Sequence, residues 1–319
     1  MVYGIVALTL FCASLKGYCG KRISGYTACT ADAMLFNLLR MMFCIAIGLS
    51  LVLIEGAQSF LRLEWQMLLI CAFSGLVNAA FLVGWLLAVQ KNALVLVDVG
   101  LTLGSLLPAV LCAILYQEAI LPTKMIGFAL ILGATVILAI GKPKSNRRSN
   151  LAGWILLILA AVGDGMTGFS QQLYKQYYTD AGTLSHGVYY PKSVFHFYTF
   201  VFAALALLLF WIGNRLLTHR KQPQGAQGAQ NAQCHRTLPL AVILHLLIMA
   251  ICLFASNYLQ TVAVADFGMP SQVLYPIMKG GCLITVTFTA AFFFGERITR
   301  RTILGCAVAL CGIVCMSLL

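Results

Sequence analysis

The chain has 319 residues, of which 61% are hydrophobic and only 9% are charged, and its mean hydropathy is +0.91. Soluble globular proteins carry about 25% charged residues, so this composition excludes an ordinary soluble domain. The formal net charge of +12 raises the question of a polyanionic partner, and the answer depends on where the basic residues lie.

Ten long apolar runs follow one another along the chain. A membrane-spanning helix needs roughly 20 mostly apolar residues, whereas the strands of a membrane barrel would alternate over about ten. The runs are continuous, so the sequence predicts an all-α membrane protein with ten transmembrane helices. The first run begins next to Met1 without a basic segment, so we interpret it as a retained helix and not as a signal peptide. The predicted spans are 2–20, 31–54, 65–89, 93–116, 123–140, 151–175, 193–216, 238–262, 270–294 and 301–319.

The end of the chain repeats its middle. One uncharged run ends at Glu118, and Gly127 follows nine residues later; another ends at Glu296, and Gly305 follows nine residues later. The offset between the two copies is 178 residues. This spacing predicts a duplicated protein with five helices in each half.

The duplication divides the chain into a first repeat at 1–141, a basic connection at 142–150 and a second repeat at 151–319. Because five is an odd number, the second repeat must enter the membrane from the opposite side. Inverted repeats of this kind are typical of secondary transporters that open a central site to each side in turn. The loop 218–237 contains a run rich in Gln, Gly and Ala, which predicts a flexible tether within the second repeat.

The basic residues lie mostly on one side of the predicted membrane. Of those outside the spans, 14 fall in odd-numbered connections and 4 in even-numbered ones. Short loops rich in Lys and Arg stay cytoplasmic, so the odd connections are predicted to face inside and both termini outside. The excess charge thus orients a multi-pass protein in a plasma or inner membrane, and it requires no nucleic acid.

The two copies also carry a resemblance to a known family. The segments YQEAILPTKMIGFALILGATVILAIGKP (116–143) and FGERITRRTILGCAVALCGIVCMSLL (294–319) resemble the closing signatures of the drug/metabolite transporter (DMT) superfamily, in its EamA-like ten-helix branch. The resemblance implies two inverted five-helix repeats, with a central cavity lined mainly by helices 1, 3, 4, 6, 8 and 9. The segment VLYPIMKGG (273–281) is similar to the ninth helix of members related to small multidrug transporters. Those relatives have an essential glutamate in their first helix, where this chain has Lys16 and no acid.

Five ionisable residues fall within the predicted spans, namely Lys16, Arg40, Asp98, Asp164 and Lys279. Each would cost about 2.5–3.5 kcal/mol at the centre of a membrane helix unless it were paired or faced water. We therefore expect all five to face the interior and treat them as candidate substrate-binding or coupling residues.

The repeat suggests how these charges are related. It places Lys16 within one position of Asp164, and Lys279 within one turn of Asp98. Two interpretations stay open. The charges could form structural ion pairs that link the halves, or the three cations, Arg40 included, could present positive charge to an anionic or zwitterionic substrate, with Asp98 or Asp164 as a proton-responsive switch.

Three aromatic residues complete the candidate site. Trp85, Tyr258 and Tyr275 fall on helices 3, 8 and 9, where the resemblance places the cavity, and they could contact a substrate through ring faces or hydroxyl groups. Ordinary helix packing is the competing explanation for each.

No sequence motif points to catalysis: HExxH, GxSxG and GxxxxGK[ST] are absent, and the cysteines show no zinc spacing. We predict a non-enzymatic secondary transporter, without cofactor or metal, that exports a small organic metabolite by alternating access. Transport of organic phosphates or lipid-linked sugars is one alternative, and a non-transporting sensor or assembly factor is another. The predicted partners are a small-molecule substrate and the lipid bilayer, and the sequence leaves a homodimer open.

Overall fold

The structure is a computed structural model that describes residues 2–26, 30–56, 58–91, 100–117, 122–140, 151–179, 188–221, 239–295 and 298–317. Within these ranges there is no strand, and a short 3-10 helix at Gln58–Leu61 accompanies ten α-helices. In chain order they are α1 (Val2–Ser24), α2 (Thr30–Ile54), α3 (Trp65–Lys91), α4 (Leu106–Tyr116), α5 (Pro122–Ile140), α6 (Leu151–Tyr178), α7 (Lys192–Lys221), α8 (Leu240–Ala265), α9 (Ser271–Phe294) and α10 (Arg300–Ser317).

Six of the described helices are long and apolar enough to span a membrane: α1, α2, α3, α7, α8 and α9. Two further helical segments, Gly100–Tyr116 and Pro122–Ile137, are apolar but shorter than these six. The chain is therefore an all-α membrane protein, as its composition predicts.

The fourth apolar run contains a local break. Its described part is helical from Gly100, is interrupted at Ser105 and continues as α4. The cause is Pro108, which has no N–H to donate to the carbonyl of Gly104 and whose ring crowds that carbonyl. The Ser105 hydroxyl donates to the Thr102 carbonyl at 2.7 Å and satisfies one acceptor beside the break.

Helices from the first half of the chain pack mainly against helices from the second half. Extensive contacts join α5 to α10, α3 to α6 and α7, α1 to α8, and α2 to α7. The largest buried apolar cluster likewise draws side chains from both halves. The two sequence halves consequently share one interior.

Several helices approach each other closely at glycines. Gly127 of α5 lies against Gly312 and Met316 of α10, while Gly312 in turn lies against Ile131. Residue numbers therefore rise in opposite directions, so α5 and α10 are antiparallel. Small residues permit such close approach between membrane helices, where packing replaces the hydrophobic effect as the main attraction.

Two further contacts fix the directions of other helices. Gly48 of α2 contacts Phe197 of α7, and Glu55 further along α2 hydrogen-bonds Ser193 nearer the start of α7, so this pair is antiparallel. By contrast, Cys71 and Gly75 of α3 meet successive turns of α7, so α3 and α7 are parallel.

Polar contacts join several helix ends on one side of the bundle. Lys192, which begins α7, forms an ion pair with Asp266 after α8 at 2.8 Å. Glu55 near the end of α2 accepts hydrogen bonds from Ser193 and from Tyr258 of α8. These contacts tie α2, α7 and α8 together where the even-numbered connections lie.

Candidate functional site

A cavity of about 90 Å³, with polar and charged side chains among its apolar lining, lies among six helices. Its wall is formed by residues of α1, α3, the segment that contains α4, α6, α8 and α9. These are the six helices that the family resemblance implies. Three ionisable side chains reach the wall, and they belong to Lys16, Asp164 and Lys279.

Lys279 and Asp164 form an ion pair in the cavity wall. Lys279 Nζ lies 2.5 Å from Asp164 Oδ2, and the side chains are 22% and 16% exposed. The pair joins α9 to α6, both of which belong to the second half, so it does not link the two halves. Among the described residues Lys279 is thus paired within its own half, while Asp98, to which the repeat relates it, lies outside those residues.

Lys16 lies in the same wall but faces an aromatic ring. Its Nζ is 5.7 Å from the centroid of Phe81 on α3, a cation–π distance. It lies within electrostatic range of Lys279, Arg40 and Asp164. The cavity therefore contains two ammonium groups and one carboxylate among the described residues.

Arg40 is buried but does not reach the cavity wall. Its side chain is 1% exposed on α2, a helix that packs against α7 and α8 and contributes nothing to the lining. Its Nε and Nη2 have no hydrogen-bond partner in the described part of the chain. Arg40 is thus separated from the cavity wall, although its charge lies within electrostatic range of Lys16. The fifth predicted ionisable residue, Asp98, lies outside the described residues.

Tyr258 does not line the cavity either. The residues of α8 that do are Leu253, Ser256, Asn257 and Gln260, a stripe with helical spacing. Tyr258 lies on a different face, beside Phe254 and His196, with ring centroids 6.1 and 5.7 Å away. The prediction that Tyr258 lies at the cavity is therefore wrong: it follows Asn257 by one residue, and one residue turns a helix by about 100°, away from the cavity.

Trp85 and Tyr275 both line the cavity and also serve packing. The indole of Trp85 fills the space that a side chain at Gly20 would need. The hydroxyl of Tyr275 donates to the Gly168 carbonyl at 2.6 Å and lies 3.1 Å from Gln171 Oε1. The Tyr275 ring thereby helps to fix α9 against α6.

The cavity also has uncharged polar residues that the search for charges missed. Asn78 on α3 is 1% exposed and lines the cavity, and so do Ser256, Asn257 and Gln260 on α8. A signal for them exists in the sequence, because the 178-residue offset brings Asn78 within one residue of Asn257. Amides at matching places in two apolar spans are unusual enough to draw attention.

No metal site is evident among the described residues, where no group of three His, Cys, Asp or Glu side chains comes together. The arrangement instead offers fixed charges and hydrogen-bonding groups around a small space. Such a wall can hold a polar solute away from lipid.

Comparisons with known proteins bear on the fold. No protein-family model and no curated protein matches the chain. A solved structure described as "Crystal structure of protein" is similar, with a TM-score of 0.65 over 96% of this chain and 96% of that chain. Their sequences are 15% identical, so the similarity concerns the fold alone.

Proposed function

We propose that the chain is a secondary transporter, of the EamA-like branch of the DMT superfamily, that exports a small organic solute by alternating access. The observation that carries the proposal is the polar cavity, whose charged wall is assembled from helices of both halves. Charged groups within apolar spans are costly and are retained where they meet a solute, an ion or water. The cavity is the binding site in this proposal.

The helix contacts support an inverted repeat of ten membrane-spanning helices. In such a repeat each helix has a counterpart five places along the chain, so α1 corresponds to α6, α2 to α7 and α3 to α8. The contact between α3 and α6 then corresponds to the contact between α8 and α1, and the contact between α3 and α7 to that between α8 and α2. Likewise α4 with α6 becomes α9 with α1, and all these contacts occur. The counterparts α2 and α7 are antiparallel, and so are α5 and α10, as an axis in the membrane plane requires.

The cavity wall favours solute binding over catalysis. Asp164 is already paired with Lys279, and the Tyr275 hydroxyl is already hydrogen-bonded to backbone. A general base or nucleophile needs a partner that can take up or release a proton at a reacting atom. What the wall offers instead is positive charge, amides and three aromatic side chains, which suit recognition.

The contacts at the helix ends fit a gate. On the side of the even-numbered connections, Glu55 joins the first half to Ser193 and Tyr258 of the second, and Lys192 with Asp266 joins two helices of the second half. Exposed or partly exposed contacts of this kind are weak enough to break and re-form. By the distribution of basic residues, this side faces outward in a plasma or inner membrane.

Binding and movement of a solute test the proposal in two steps. The purified chain is first screened for thermal stabilisation by amino acids, carboxylates, organic phosphates, nucleosides and lipophilic cations, since a ligand of the folded state raises the melting temperature. Any stabilising solute is then loaded into proteoliposomes and its counterflow is measured. Transport predicts counterflow that Asp164→Asn reduces while Gly133→Ala, at a site on α5 that lies outside the wall and has open space for a Cβ atom, does not.

The alternatives give different results. A sensor or assembly factor on the same fold would bind its solute without counterflow, which would contradict transport. Stabilisation by organic phosphates together with their counterflow would keep transport and select the phosphate alternative.

A further inference from the structure

Asn78 is a buried amide without a hydrogen-bond partner in the described part of the chain. Its side chain is 1% exposed, lines the cavity, and has neither Nδ2 nor Oδ1 hydrogen-bonded among the described residues. Buried amides are nearly always paired, because an unmade hydrogen bond is costly. Asn37, an equally buried amide on α2, follows the rule and donates to the Leu82 carbonyl at 3.3 Å. Asn78 therefore keeps one donor and one acceptor for an occupant of the cavity.

Lys16 approaches the same face of α3 as Asn78. Its Nζ lies 5.7 Å from the Phe81 ring, and Phe81 follows Asn78 by three residues, which places both on one side of the helix. Within the described ranges Lys16 has no ion pair, in contrast to Lys279. The ammonium and the amide thus border the same part of the cavity.

Among the described residues, the charge around this part of the cavity is predominantly positive. Asp164 neutralises Lys279, while Lys16 and the buried Arg40 add two cations within electrostatic range of each other. A buried cation without a counter-charge is unfavourable, so an anion between the helices would be strongly attracted. A neutral or cationic solute would gain nothing from this field.

Shape and hydrogen bonding narrow the class of anion. One carboxylate oxygen can accept from Lys16 Nζ and the other from Asn78 Nδ2, which leaves Asn78 Oδ1 to accept from a hydroxyl on the neighbouring carbon. The cavity volume of about 90 Å³ is small beside the roughly 300–1,000 Å³ of sites for drug-sized ligands. The anion should accordingly have only a few carbon atoms.

We propose that the transported solute is a small hydroxycarboxylate whose carboxylate is bound between Lys16 and Asn78. The proposal rests on the transport function and names the substrate class of the same cavity. Asn78 is its specificity-determining residue, because its amide has no hydrogen bond among the described residues and can both donate to the anion and accept from the hydroxyl.

Lactate and its neutral amide, lactamide, are the matched probes. In thermal shift and titration on the purified full-length protein, lactate should bind and lactamide should not. Asn78→Leu should weaken lactate binding about tenfold or more, as for a lost hydrogen bond to a charged group, and Lys16→Met more strongly. The melting temperature of Asn78→Leu should stay the same or rise, because the amide it removes has no protein partner.

Asn37→Leu is the control, since it removes an amide that does have a partner. It should melt at a lower temperature and still bind lactate with unchanged affinity. If Asn78→Leu instead melts as low as Asn37→Leu, or binds lactate as the wild type does, the proposed role of Asn78 is refuted. Equal binding of lactamide, or preference for inorganic phosphate over lactate, would refute the carboxylate class.

Counterflow separates this proposal from the transport function. Lactate that binds through Lys16 and Asn78 but shows no counterflow would support the site and contradict transport. Counterflow of a nucleoside or lipophilic cation with no lactate binding would contradict the site and keep transport. Absence of both binding and counterflow for every probe class would overturn both.

Discussion

Gly127→Ala tests the close contact between α5 and α10. A Cβ atom at Gly127 would lie 2.7 Å from the Gly312 carbonyl oxygen and 3.0 Å from Met316 N, whereas ordinary contact begins at 3.4 Å. Both atoms are backbone, so the two helices would have to move apart by about half an ångström or more. Overpacking of this kind costs about 1–3 kcal/mol. We therefore expect Gly127→Ala to lower the free energy of unfolding by about that amount.

Gly133→Ala on the same helix is the matched control. A Cβ atom at Gly133 meets no atom within 4 Å, so this change should add only helix propensity, worth up to about 1 kcal/mol. Thermal unfolding of the purified variants in detergent, followed by the fraction that remains monodisperse, gives the comparison. Gly127→Ala should melt several degrees below Gly133→Ala. Equal melting temperatures would refute the close approach of α5 and α10.

Two more predictions concern the ion pair and the orientation. Asp164→Asn and Lys279→Met should each reduce stability by about 1–3 kcal/mol, below the 3–5 kcal/mol typical of a fully buried pair, and the double variant should lose less than the sum; additive losses in thermal unfolding would show that the two charges are not coupled. A reporter enzyme that works only outside the cytoplasm should be active when it is fused to the C-terminus, and one that works only in the cytoplasm should be inactive there. Activity of the cytoplasmic reporter would refute the orientation inferred from 14 basic residues against 4.

Much of the architecture follows from the sequence, because each apolar run of sufficient length has few alternatives to a helix in a membrane. The predicted span 65–89, for example, agrees closely with α3 at Trp65–Lys91. The fourth run agrees less well, since its described part is broken at Ser105. Pro108 is the cause, and it was visible in the sequence.

The candidate site could be predicted only in part. Lys16, Asp164 and Lys279 were found because a charge in an apolar span is costly wherever it points, and all three line the cavity. That Asp164 is the partner of Lys279 depends on the neighbouring position of α6 and α9, which no spacing within the chain reveals. The prediction that Tyr258 lines the cavity was wrong for a related reason, because the rotation of a helix about its axis decides which of its residues face the cavity.

Asn78 is a residue of the cavity wall that the sequence analysis did not predict. An uncharged amide is cheaper to bury than a charge, so it attracts less notice in a sequence. Its significance comes from what is missing around it, namely a hydrogen-bond partner among the described residues. That property can be recognised only when the neighbours are known.

The sharing of one interior by both halves has a consequence for synthesis in the cell. Before the second half has been synthesised, the faces of α1 to α5 that contact α6, α7, α8 and α10 in the folded chain have no partner helix. We therefore expect that neither half folds stably alone, and that the first half completes its folding only after the second half has been synthesised. Two chains cut within 142–150 should therefore accumulate only when they are co-expressed, and stable accumulation of either fragment alone would contradict this dependence.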